Sequence, residues 1–207
     1  MSYSKFTIEE LQKTFNLTIV ETVGKFNDLP EIPPSQFLQE ALQYYLPLAV
    51  AIGTEKARSE LIIAPILFAI KKQLDNQISI FSGVEFNIDI EQGLNGFCDF
   101  IISCSSLQLL IEAPVVALVE AKNDNIKSGL AQCMAEMVAA QVFNQRENNE
   151  IPLIYGVVTT GTTWQFLELE SQTMTVDLEE YSVKNLPKIL GILTNFVSYS
   201  TVRMENK

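Results

Sequence analysis

Histidine is absent from the 207-residue chain. That removes Ser-His-Asp and Cys-His triads, histidine-ligated zinc hydrolases and nucleases with a histidine base. Any hydrolytic chemistry must rest on carboxylates, lysine and oxygen-bound metal. Cysteine is scarce. Cys98, Cys104 and Cys133 are odd in number, lack CxxC spacing and sit among apolar neighbours, which predicts reduced core thiols rather than a disulfide frame or a redox pair. Long apolar runs are missing: 47% of residues are hydrophobic and mean hydropathy is +0.16, yet no stretch reaches the roughly 18–20 uncharged residues of a membrane span. Residues 1–6 lack the basic start and apolar stretch of a secretory signal, so a cytoplasmic protein away from membranes is expected. Positive charge is short as well. Fourteen Lys and Arg face 25 Asp and Glu, for a net charge of -11, whereas nucleic-acid-binding domains are usually basic. No internal repeat, P-loop or GxGxxG occurs.

What is present reads as one domain of alternating strands and helices. Thr7 caps a short helix over 7–14 with Glu9 and Glu10 in its first turn, and 17–24 is β-rich. The prolines of 27–34 mark a loop, and a helix runs from Ser35 toward Tyr45. After Gly53-Thr54, apolar residues from Ala57 to Ile70 recur at helical spacing, with Pro65 predicting a kink or break. Residues 78–90 are a strand or hairpin broken near Gly83, and 97–102 and 114–122 are strand-like and suited to antiparallel pairing. A largely apolar helix over 126–143, capped from 123–125, precedes a polar loop at 146–150 and a strand over 151–160. A hairpin return bears Trp164, read as hairpin packing with base stacking as the alternative, and a last amphipathic helix spans 186–199.

The run 114–122 ends unusually for a core strand. Glu120 and Lys122 leave the same face of the sheet, and in-register pairing with the neighbouring strand brings Asp99 opposite Glu120. Two carboxylates beside one lysine suit a hard divalent cation and an attacking water. On the helix that follows, Gln132 and Glu136 are one turn apart and break the apolar pattern together.

Asp99, the Glu120-Ala121-Lys122 tripeptide and Glu60 on a preceding helix resemble the PD-(D/E)XK nuclease superfamily over roughly residues 60–169. The acid-x-Lys tripeptide alone is a weak signal; the order of helix with Glu, strand with Asp, strand with Glu-x-Lys and polar-faced helix is more specific. Cys98 stands where the family usually has a proline. The resemblance implies an α/β fold with a mixed central β-sheet flanked by helices, restriction-endonuclease-like. Residues 53–170 would form the core, 1–52 an N-terminal helical and β extension, and 171–207 a C-terminal strand and helix. It further implies Mg2+- or Mn2+-dependent hydrolysis of DNA phosphodiester bonds. Asp99, Glu120 and Glu60 would hold metal, Lys122 would position the water, Gln132 would support it, and Glu136 would give further support.

Lys56, Arg58, Lys122 and Lys127 would form a positive rim around this acidic pocket. A protein partner in a restriction or recombination system and a homodimer are compatible with the resemblance. Two other readings remain open. One is a nuclease-like subunit without turnover, used for binding or assembly, which the acidity favours. The other is a structural ion network of Asp99, Glu120 and Lys122, and for Glu60 a surface pair with Lys56 at i-4.

Overall fold

A computed structural model of the chain describes residues 2–149 and 151–205; Met1, Glu150, Asn206 and Lys207 lie outside it, and with Glu150 the end of the loop expected over 146–150. The short apolar runs form β1 (Thr18–Thr22), β2 (Ser79–Glu85), β3 (Phe97–Ser103), β4 (Val115–Ala121), β5 (Leu153–Thr159), β6 (Thr163–Glu170), β7 (Thr173–Asp177) and β8 (Tyr181–Ser182). They make one mixed sheet in the order β1-β7-β6-β5-β4-β3-β2, with β8 on β6. The pairs β2/β3, β3/β4, β5/β6 and β6/β7 are antiparallel, while β4/β5 and β1/β7 are parallel. The fold is therefore α/β with a mixed central sheet, as expected.

Helices cover both faces, as a sheet with parallel pairs requires. On one side α2 (Gln36–Ile52), α4 (Ala64–Gln73) and α6 (Leu186–Glu205) bury Leu38, Leu42, Ile66, Leu67, Ile189 and Phe196 against Val119, Val157 and Phe166. On the other, α1 (Ile8–Phe15) and α5 (Leu130–Arg146) bury Leu11, Met134, Met137 and Val138 against Leu118, Val158 and Leu167. No described helix is long and apolar enough to cross a membrane. Cys98, Cys104 and Cys133 are all buried.

Local chemistry explains most boundaries. Thr7 and Glu10 form a reciprocal capping box on α1. Trp164 is buried and its Nε1 donates to Gly161 O at 3.0 Å, so it packs the β5–β6 turn rather than offering a face to a base. One helix runs longer than expected, and the next is broken near Pro65 as expected. Instead of ending near Tyr45, α2 continues through Pro47 to Ile52: Pro47 removes one backbone donor, but Ala49 beyond it is fully buried, and that packing carries the helix on. The next helix is in three pieces, α3 (Glu55–Arg58), a π-helical turn Ser59–Ile63, and α4 with Pro65 in its first turn. The wide turn accommodates the donor Pro65 lacks and re-aims the residues before it.

Candidate active site

All seven residues of β4 are buried, and the sixth is Glu120, 1% exposed. A carboxylate there needs partners, since withdrawing it from water costs several kcal/mol. Lys122, just past the strand end, is fixed by its N–H donating to Thr159 O at 2.8 Å, and its Nζ forms an ion pair with Glu120 Oε1. Its side chain keeps 18% exposure. The lysine stem needs room that only glycine gives: a Cβ on Gly129, at the end of the 3-10 turn Ile126–Gly129, would lie 3.0 Å from Lys122 Cε and 2.7 Å from Val158 Cγ1.

Asp99 lies beside this pair. The β3/β4 register of Phe100 with Val119, carried one step further, brings Asp99 opposite Glu120, and Asp99 Oδ2 accepts from Ala121 N at 2.8 Å. One detail differs from the single-face arrangement expected. Cys98 packs on the α5 side and Phe100, two residues on, on the opposite side, so alternation breaks at Asp99. The β2/β3 register sets Gly83, at φ 63°, across from Asp99, and its left-handed backbone kinks the edge there. Asp99 consequently opens onto a cavity of about 230 Å³ shared with Glu55, Lys56, Ser59, Glu60, Ser82, Gly83 and Ala121, whereas Glu120 is directed toward α5. The site straddles the end of β4.

On the α5 side Glu136 is fully buried, with Gln132 Nε2 donating to its Oε1 at 3.1 Å. Those two residues form an interior pair and not an exposed stripe. Glu120 Oε2 and Glu136 Oε2 are both buried without a hydrogen-bond partner among the described residues. Burial, and next the charge of Asp99, push Glu120 up to about 8 against the pull of Lys122. Burial, then the charge of Glu120, holds Glu136 well above the usual carboxylate range. Of the two, Glu120 is the one in contact with an ammonium, that of Lys122. Burial pulls Lys122 down, but the hydrogen bond and charge of Glu120, with Glu55 and Asp99, outweigh it and its net direction is up. Burial likewise raises Tyr3, whose hydroxyl donates to Phe86 O and which senses Glu136.

Glu60 does not join the carboxylates. Its side chain is 61% exposed and pairs with Lys56 at 2.8 Å, though it stays on the rim of the Asp99 cavity. Two contributors escaped the sequence reading. Glu55 raises both Glu120 and Lys122 through its charge, but as the first residue of a Thr54-capped helix it reads as an ordinary dipole partner. Tyr3 carries no sequence signal. A larger cavity of about 580 Å³, between Phe15, Val138 and Ile154, has no charged lining residue among the described residues and lies apart from this chemistry.

The donor chemistry fits a hard divalent cation. Glu120 offers an orphaned carboxylate oxygen, Asp99 adds a second carboxylate from the adjacent strand, and magnesium is commonly held by one or two carboxylates with water and substrate oxygens completing its shell. Among the described residues no three His, Cys, Asp or Glu side chains converge closely enough to enclose an ion by themselves. No protein-family model matches the chain, and no curated protein or solved structure matches it. The chemistry must be argued from the site.

Proposed function

We propose that the protein is a metal-dependent nuclease of the PD-(D/E)XK kind, hydrolysing phosphodiester bonds in DNA. The observation that carries this reading is the end of β4, where a buried Glu120 with one unpartnered oxygen pairs with Lys122 toward α5, while Asp99 of the adjacent strand accepts from Ala121 N and opens onto a cavity. Two acids against one base leave surplus negative charge, and a cation is the simplest complement. The run α4, β2, β3, β4, α5, β5 also gives the order of elements that the superfamily's core would need.

Asp99 and Glu120 would hold Mg2+ or Mn2+, which when bound supplies Lewis acidity and neutralises phosphate charge. Lys122, in contact with Glu120, would orient the attacking water through its ammonium hydrogens and face charge developing on the phosphate. Water adds to phosphorus and one P–O ester bond breaks. Gln132 is hydrogen-bonded to Glu136, whose carboxyl lies on the buried side near Glu120 and interacts with it through charge alone, and Glu60 is left at the rim with Lys56.

The second reading, a nuclease-like subunit without turnover that serves binding or assembly, is favoured by the closed Lys122–Glu120 pair and the net charge of -11. Incubation with circular and linear DNA in Mg2+ decides between them. Metal-dependent cleavage, reduced at least about a hundredfold in Asp99→Asn and Glu120→Gln, is expected. Cleavage that persists in both variants, or none in the wild type, contradicts the catalytic reading.

A further inference from the structure

A second cleft, of about 340 Å³, opens on the far side of the α3 stub, lined among others by Arg58, Asn123, Lys127, Thr160 and Thr162. It starts one residue past Lys122, because Asn123 follows the lysine directly and Thr160 follows the Thr159 carbonyl that anchors Lys122. Resting on the nuclease reading, we propose that this cleft is the docking groove for the backbone phosphate flanking the scissile bond, with Arg58 and Lys127 as its cationic contacts.

Three observations carry it. First, cations are few in this chain and most beside an acid or a carbonyl are already engaged. Lys25, Lys56, Lys122 and Arg146 are in ion pairs, and Lys71 and Lys188 are held by oxygens of the chain. Among the described residues Lys5, Lys13, Arg58, Lys72, Lys127 and Lys184 form no ion pair, and of these Arg58 and Lys127 line this cleft. Second, Arg58 is fixed but not satisfied. Its Nη1 donates to Thr160 O at 3.0 Å, while its Nε is buried without a hydrogen-bond partner. A guanidinium fork held at one tine presents its remaining donors in a fixed plane, the geometry that suits phosphate oxygens. Third, the opposite wall carries hydroxyls. Thr160 Oγ1 and Thr162 Oγ1 lie 3.0 Å apart and share one hydrogen, and Thr163 N donates to Thr160 Oγ1 at 3.2 Å, which leaves a hydroxyl hydrogen to donate outward. Asp124 and Glu180 also line the cleft, so its charge is balanced and it suits a single phosphate rather than a long anionic track.

The same short helix thus serves both cavities. Glu55 and Lys56 face the Asp99 cavity and Arg58 faces the groove, so one short element would set a strand's backbone against the carboxylates.

The test uses the full chain carrying Lys122→Ala, which is expected to retain metal without cleaving, in Mn2+. Anisotropy titrations with a labelled oligonucleotide at several salt concentrations compare this parent with added Lys127→Ala and with added Arg58→Gln. Each addition is expected to weaken binding roughly 5- to 20-fold and to lower the slope of log affinity against log salt by about 0.7–0.9, one phosphate contact. Lys127 is exposed, so its variant should melt with its parent, which keeps the result readable if Arg58→Gln loosens the Thr160 turn. An unlabelled mononucleotide as competitor should bind at least a hundredfold more weakly than the oligonucleotide. Binding by the parent with unchanged affinity and slope in both variants overturns the groove and leaves the nuclease reading standing. A mononucleotide that competes as well as the oligonucleotide overturns the strand assignment. No oligonucleotide binding by the parent at low salt overturns the groove and the nucleic-acid reading together.

Discussion

Lys122→Ala is expected to lower metal-dependent cleavage by about a thousandfold or more while its stability loss is recovered by the metal. The two effects have different origins. Catalytically, the variant loses the only ammonium in contact with Glu120 and with it the donor that orients water, a charged contact of the kind worth several kcal/mol in a transition state. Structurally, it leaves Glu120, 1% exposed, with no cation, and breaking a buried pair typically costs about 3–5 kcal/mol. A divalent ion between Asp99 and Glu120 would replace the missing charge, so Mg2+ or Mn2+ should restore most of the melting temperature but none of the rate. The structural-network reading expects the same loss of stability in EDTA and no recovery with metal. Thermal melts with and without metal, beside single-turnover cleavage, separate the two.

Glu136→Gln should make the metal-free protein more stable at alkaline pH, read as a Tm above that of the wild type at pH 8. The sign follows from its upward shift. Burial keeps Glu136 protonated in the folded chain at pH values where the unfolded chain has already released the proton. The folded state then binds more protons, so stability is full below the ordinary carboxylate pKa and falls as pH rises toward the folded value. Glu120 adds a decline of the same sign, from its ordinary 4.5 to about 8. Glutamine is neutral throughout, nearly isosteric, and can keep the contact with Gln132. Wild type and variant should therefore be alike near pH 4 and diverge above it. Equal pH profiles, or a variant less stable at pH 8, would mean that Glu136 is charged in the fold.

The pairing of Glu120 with Lys122 and of Gln132 with Glu136 was legible because each is local. An acid and a lysine two residues apart at the end of an apolar run cannot both be core, and Gln132 with Glu136 interrupts a buried helix at one-turn spacing. The capping residue Thr7 also announced its helix. What local pattern could not show was long-range. The parallel pairing of β1 with β7 joins residues about 155 positions apart, and nothing in either strand's alternation names the other. The flip of faces at Asp99 depends on Gly83 in the neighbouring strand, and the charge effect of Glu55 on Glu120 and Lys122 is long-range as well, whereas the pair of Glu60 with Lys56 follows from their four-residue spacing.

Calorimetric titration of Mn2+ tests, without knowledge of the substrate, whether Asp99 and Glu120 hold a metal beside Lys122. The wild type should bind, Asp99→Asn should not, and Lys122→Ala should bind still. A wild type that takes up no metal, with Asp99→Asn and Lys122→Ala both strongly destabilised, would contradict the account and leave a structural ion network at the end of β4.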